Sequence, residues 1–446
     1  MKKKELLMIG LMVFSVFFGA GNLIFPPIIG KQAGTNVVTT MLFFSITAII
    51  FPILGVIAVA KSNGLRNLAN RVDPVFSIIF TIVAYLAIGP ALAMPRAGTL
   101  PFEIAISPYI PANVSKSLIL FIYTTVFFGV VYWLSLSPNK LLGRISKITS
   151  PIFLVLILML FVGTFLKPMG SYGNPEPLYA KNMGLQGFLD GYLTLDALAG
   201  LNYGLVIVYV IKQKNILEES KITKIVISTG IFAGILLFVV YMMLAHVGAS
   251  SISKFPNTSN GAEILAAVMK YLYGSFGAVL LACMFTVACL NIGVGLTTSL
   301  SQYFHSMVRG VPYKVWATIW VIWSYMLANL GLNRIMEYSV PVLLAIYPAS
   351  LVLIVLALID KYIKGSSLVY KFVIYPTVVI SIIHTLDKIN IKVPLASSLV
   401  KKLPLQSADL GWLPVAGVCF VVGFIVSLYI IKSGYELIKE NSLILL

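Results

Sequence analysis

The sequence predicts an all-α integral membrane protein of twelve transmembrane helices, on three grounds: its apolar composition, the length of its apolar runs, and the short charged loops between them. Hydrophobic residues make up 59% of the 446-residue chain and charged residues 11%, too little polar surface to clothe a water-soluble globule. A bilayer's hydrocarbon core takes about 20 apolar residues per helical crossing, and runs of that kind recur along the whole chain. Within lipid each backbone polar group must be satisfied inside its own segment, which favours helices. A transmembrane barrel would show short alternating strands, whereas Leu118 to Trp133 and Val415 to Ile431 are apolar on every side.

Apolar runs bounded by charge or by Pro/Gly clusters place the crossings at 6–30, 37–60, 75–95, 117–136, 148–166 and 187–211, then at 222–248, 275–304, 313–332, 338–359, 368–386 and 412–431. Lys2-Lys3-Lys4 before the first run imitates a signal peptide, but no small-x-small cleavage site follows, so the run is read as an uncleaved first helix. An even number of crossings puts both termini on one face. Most of the 32 Lys and Arg lie at those termini and in the alternate loops of that face, which the positive-inside bias makes cytoplasmic, in a cell (inner or plasma) membrane. Residues 249–274 are too polar to cross, yet contain the amphipathic run Ala262 to Tyr271, either an outer lid helix or a plain surface loop.

The first crossing carries Phe17-Phe18-Gly19-Ala20-Gly21-Asn22-Leu23-Ile24-Phe25-Pro26-Pro27. Each glycine weakens a helix by about 1 kcal/mol, and the Asn22 amide competes with backbone pairing. A break at Gly19 to Asn22 would free amides and carbonyls at mid-membrane, where they are tolerated only against protein or a water-filled cavity. Close helix packing by small residues is the plainer reading of the glycines. A nucleotide loop is excluded, since no strand precedes and no GK[ST] follows. The sixth crossing repeats the anomaly with Gly187, Gly191 and then Asp196-Ala197-Leu198-Ala199-Gly200-Leu201-Asn202. A carboxylate there costs roughly 2.5–3.5 kcal/mol to insert and marks a functional position, unless it is hydrated near the outer interface. Asp190 is assigned to that interface.

Segments one and six begin two halves of five, and an odd number per half forces opposite orientations, the inverted-repeat logic of secondary transporters. Residues 1–170 form the first repeat, 171–362 the second, and 363–446 two accessory helices. Half-helix amino ends then offer positive dipole to an anionic group while freed carbonyls bind a cation, an arrangement suited to an amino acid. In the eighth crossing, Asn291-Ile292-Gly293-Val294-Gly295-Leu296-Thr297-Thr298-Ser299 offers hydroxyls that either close an alkali-cation shell or bond back to the preceding turn. Other classes fare poorly. The net charge of +17 sits in loops rather than in a stripe among aromatics, so no nucleic-acid partner is expected. Cys283, Cys289 and Cys419 have no metal spacing, the three histidines are far apart, and no nucleophile cluster or pore-loop filter is visible, which argues against an enzyme or a channel. No organic cofactor and no obligate protein partner beyond membrane lipid are implied.

These segments resemble the branched-chain amino acid carriers of the LIVCS family, within the amino acid, polyamine and organocation superfamily. The resemblance spans nearly the whole chain and is sharpest at Phe18-Gly19-Ala20-Gly21-Asn22-Leu23-Ile24-Phe25-Pro26-Pro27, at Ile88-Gly89-Pro90-Ala91 with Pro95-Arg96, and at Leu195-Asp196-Ala197-Leu198-Ala199. It implies a LeuT-like fold of 5+5 inverted repeats plus two helices, importing leucine, isoleucine and valine by sodium symport with alternating access. By motif, Gly19, Ala20 and Gly21 lie at the unwound substrate site, the Ala20 and Gly21 amides meeting the carboxylate, with Asn22 supporting the break or a cation. Asp196, Ala197 and Gly200 supply the sixth segment's part. Gly295-Leu296-Thr297-Thr298-Ser299 resembles the run that gives two hydroxyls to a sodium site, opposite the Ser15 and Phe18 carbonyls. Asp196 has no equivalent in the broader pattern and is read as a sodium ligand, an ammonium partner or the proton carrier of a proton-coupled or broader-specificity carrier.

Overall fold

Apolar surroundings force backbone groups to pair locally, and every regular element among the described residues of the computed structural model is helical. The structure describes residues 3–444 other than 112, 137–140, 217 and 309, and the side chains among them other than those of 3, 4, 20, 141–150, 284 and 431–444. Helices overlie all twelve expected crossings. Eight stretches among the described residues are long and apolar enough to span a membrane, nine when the bent pair Pro177–Thr194 and Asp196–Lys212 counts as one. The count of twelve is larger because Glu5–Phe17 and Pro151–Leu166 are shorter apolar helices, as is the 16-residue Tyr313–Ala328.

Helix starts are set locally. The Asp73 carboxylate accepts from the Phe76 amide at 2.9 Å, with Pro74 in the first turn. Asn260 Oδ1 accepts from the Glu263 amide at 3.0 Å, and Glu263 reaches back to the Ser259 amide at 2.7 Å. That cap opens the helix Gly261–Met307, which Gly274 interrupts with φ +67 and ψ −160. The amphipathic run Ala262 to Tyr271 is therefore a helix in its own right, set off from the eighth crossing.

The first crossing comes as two helices, Lys3–Phe17 and Ala20–Ala33. The second of these is wedged against its neighbours through glycines. A Cβ on Gly248 would strike the Pro27 carbonyl, and one on Gly261 the Ile24 carbonyl. We expect Gly248→Ala to force these helices apart at about 1–3 kcal/mol, read as a lower thermal midpoint in detergent. A midpoint equal to wild type would show that the interface has room to spare.

Lys31, at the far end of Ala20–Ala33, is 9% exposed, and its ammonium donates to the carbonyls of Phe255 at 3.3 Å, Pro256 at 2.7 Å and Thr258 at 2.7 Å, and to Thr258 Oγ1 at 2.9 Å. The loop ahead of the helix that opens at Gly261 is thereby tied to the first crossing. In the third crossing, a π-helical turn at Ala87–Ala91 contains the non-helical Gly89 and Pro90. The chain then resumes as Ala93–Ala105, a helix that carries Arg96 into the interior.

Candidate functional site

Two helix breaks converge on one place. The first lies at Phe18 and Gly19, where Gly19 is extended (φ −107, ψ −172) before Ala20–Ala33 begins. First-turn amides of that helix have no acceptor within it. Asn22 holds the break together: its Oδ1 accepts from the Gly19 amide at 3.0 Å. The second break follows the 3₁₀ turn Gly191–Thr194, where Leu195 is left-handed (φ +67, ψ +6) and Asp196–Lys212 sets off at a bend of 44°. A leucine in that region costs about 1–2 kcal/mol, so surrounding packing must impose it.

Asp196 joins the two breaks. Its side chain is 3% exposed, and Oδ2 accepts from Asn22 Nδ2 at 2.5 Å and from the Tyr241 hydroxyl at 3.2 Å. Asn22 Nδ2 also donates to the Tyr241 oxygen. One amide therefore bridges the first crossing, the sixth and the seventh. Asp196 opens its helix, so the positive end of the dipole favours its charge. No basic side chain among the described residues pairs with it.

A cavity of about 660 Å³ begins at these breaks, where Gly19, Gly21, Asn22, Thr194 and Asp196 line it. From there it follows Met12, Met8 and Glu5 on one side and Tyr203, Val210 and Lys214 on the other. It thus reaches the face that carries the N-terminus, where Lys214 is exposed. Its walls are mostly apolar, with Ile88, Ala199, Ile292 and Leu296 near the breaks.

Of the residues expected at the substrate site, Gly19, Gly21, Asn22 and Asp196 line this cavity. Ala20 opens the second half-helix, and its side chain lies outside the described residues. Ala197 and Gly200 lie beside this wall rather than in it, close to the second crossing: a Cβ on Gly200 would strike the Pro52 carbonyl, and the Ala197 carbonyl lies 3.5 Å from a Cβ on Gly55.

The expected cation residues are divided. Ser15 lines the cavity, while Phe18 stacks on Phe14 at 5.0 Å. Thr297 and Thr298 stand outside the cavity wall. Thr297 Oγ1 donates to the Gly293 carbonyl at 2.7 Å, the turn-bonding alternative. Thr298 Oγ1 is buried near the Tyr313 hydroxyl and meets no partner at hydrogen-bonding geometry. Asp190 is no hydrated interface residue: it is 6% exposed and accepts from the Tyr179 hydroxyl at 2.9 Å and from Gln186 at 2.8 Å. Residue-by-residue reading also missed Tyr241 and Arg96 as members of this site.

The family model described as branched-chain amino acid transport protein matches residues 2–430. The chain is 39% identical over 429 residues to the branched-chain amino acid permease BraB of Bacillus subtilis (strain 168), covering 96% of each chain. It is 37% identical over 432 residues to the branched-chain amino acid permease BrnQ of the same strain, covering 96% of this chain and 98% of that one. Among solved structures it matches Mhp1, a nucleobase-cation-symport-1 family transporter, with a TM-score of 0.60 at 11% identity, over 95% of this chain and 92% of that one. An inward-facing conformation of Mhp1 matches with a TM-score of 0.59, also at 11% identity. The fold is accordingly LeuT-like.

Proposed function

The chain belongs to the branched-chain amino acid transport protein family, and from that premise we propose that it imports leucine, isoleucine and valine by sodium symport with alternating access. It is a multi-pass membrane carrier, not an enzyme. The observation that carries the proposal is the meeting of two broken helices at the closed end of an apolar cavity that holds one buried carboxylate. An amino acid bound there sets its carboxylate against the first-turn amides of Ala20 and Gly21, at the positive end of a helix dipole. Its ammonium lies toward Asp196, and its branched side chain rests on Ile88, Ile292 and Leu296. Such walls discriminate weakly among leucine, isoleucine and valine, because one methylene is worth about 1–3 kcal/mol.

The positive-inside bias makes the N-terminal face cytoplasmic, with both termini there, and the cavity then describes an inward-open state. Alternation proceeds by rocking of repeat 1–170 against repeat 171–362, with 363–446 as accessory helices. Sodium sits between the carbonyls of Ser15 and Phe18 and the hydroxyls of Thr297 and Thr298, a shell that closes only when the eighth crossing and the first half-helix approach. The unsatisfied Thr298 hydroxyl supports that reading.

Labelled leucine uptake into proteoliposomes tests the proposal. An inward sodium gradient at fixed pH is expected to raise accumulation at least about fivefold, the lower end of ordinary coupling energies. Thr298→Ala is expected to abolish that stimulation while leaving folding intact. Uptake driven by a proton gradient alone would reassign the coupling to Asp196, and unconcentrated leucine would end the transport reading.

A further inference from the structure

Arg96 is among the most deeply buried side chains of the protein, at 1% exposure, and it lines the cavity beside the two breaks. Its Nη1 donates to the Leu193 carbonyl at 2.6 Å, and the guanidinium carbon lies 5.2 Å from the centroid of the Phe25 ring. Its Nε and Nη2 are buried and have no partner. No carboxylate among the described residues forms an ion pair with it.

A guanidinium stays charged across the physiological range, and leaving one buried and half-satisfied costs several kcal/mol. A fold retains such a group when something arrives to complete it. Nε–H and the adjacent Nη2–H point the same way, forming the side-on fork that matches the two oxygens of a carboxylate. Tyrosine or amide partners would fill one donor and strand the other.

The surroundings point to the same anion. Phe25, over which the guanidinium sits, is also the ring a Cβ on Gly21 would touch at 3.3 Å, and the Thr194 backbone lies 3.4 Å from that Cβ. Leu193, which holds Nη1, is the residue before Thr194. Arg96 therefore stands next to the amino end of Ala20–Ala33, and two sources of positive potential meet at one spot. Asp196 lines the same cavity and, among the described residues, is the negative group at the breaks, Glu5 lying toward the cavity's other end.

We propose that Arg96 is the residue that recognises the substrate's carboxylate, its Nε and Nη2 donating one hydrogen bond to each oxygen, so that Arg96 and Asp196 together select a zwitterionic amino acid. The assignment rests on the amino acid transport reading and sharpens it. A branched amine or alcohol fills the apolar part of the site equally well but leaves the fork empty. The guanidinium thus adds to the first-turn amides of Ala20 and Gly21 the full charge that separates leucine most strongly from its carboxylate-free analogues.

The test is competition in proteoliposomes: inhibition of labelled leucine uptake by unlabelled leucine and by leucinol, for wild type, Arg96→Lys and Arg96→Gln. Wild type is expected to favour leucine over leucinol by ~30-fold or more, the effect of leaving one member of a buried charge pair empty. Arg96→Gln is expected to bring the two within a few-fold by weakening leucine alone, and Arg96→Lys, with charge but no fork, to fall between. Thermal shift with leucine and with leucinol gives the same ratio from binding, so a variant too slow to transport is still read. A wild-type preference retained in Arg96→Gln would overturn the assignment while leaving leucine transport standing. Absence of leucine uptake by wild type would remove both.

Discussion

Asp196→Asn is expected to cut leucine accumulation at least ~30-fold while leaving the protein as stable as wild type or more so. The Asp196 carboxylate is buried, takes hydrogen bonds from Asn22 and Tyr241, and pairs with no basic side chain among the described residues. Burying a charge without a counter-ion is unfavourable, and the asparagine oxygen can still accept from both neighbours. Removing the charge therefore relieves the resting fold. What the variant loses is the attraction for an arriving cation, whether the ammonium of the substrate or the coupling ion. Uptake and thermal midpoint measured on one preparation separate the two effects. Wild-type accumulation by Asp196→Asn would take the residue out of the site, and a collapsed midpoint would make its role structural.

A second large effect is expected at Asn22, in the opposite pattern. Its side chain accepts from Gly19 across the first break and donates to Asp196 and Tyr241 across the second. Asn22→Ala takes one hydrogen bond each from the Gly19 amide, Asp196 and Tyr241, at about 0.5–1.5 kcal/mol for each bond lost and more where the charged carboxylate is the acceptor. Gly19 keeps its bond to the Phe17 carbonyl at 2.9 Å, and Asp196 its bond from Tyr241. Stability and transport should fall together. Asn22→Asp is worse, because it sets a second carboxylate against the first where the amide hydrogens stood. The ordering of thermal midpoints, wild type above Asn22→Ala above Asn22→Asp, checks the bridge. Equal midpoints for all three would show that the breaks hold without it.

Much of this was legible in the chain because lipid imposes simple rules. Uninterrupted apolar runs marked every helix that overlies an expected crossing, and glycines with a polar residue marked the first break to within a residue. The second break was found in the right segment but for the wrong cause: the turn is made by Leu195 rather than by a glycine, since tertiary packing overrides a local preference. Orientation around a helix was the weaker inference. Asp196, Ala199 and Tyr203 line the cavity at the spacing of one helical face, a period that sets Ala197 to the side. It puts Gly200, four residues on from Asp196, near the edge of that same face, where only the close approach of Pro52 shows what it meets. Tyr241 could not be picked out, because a tyrosine in an apolar run carries no sign of what its hydroxyl meets. Arg96 fell one residue past the expected end of the third crossing and stood out only as part of a motif, and its empty donors are what point to a use for it.

The Lys31 ammonium, ringed by carbonyls of residues 255–258, fixes how the far side of the molecule can move. Four oxygens of one short loop, three of them backbone carbonyls, hold one nitrogen, so moving the loop bodily moves all of the contacts together. A tilt of Ala20–Ala33 that left the loop behind would take the Lys31 charge away from these four oxygens. Helix and loop are therefore joined at the end of Ala20–Ala33 remote from the break, and a displacement of one is expected to draw the other with it.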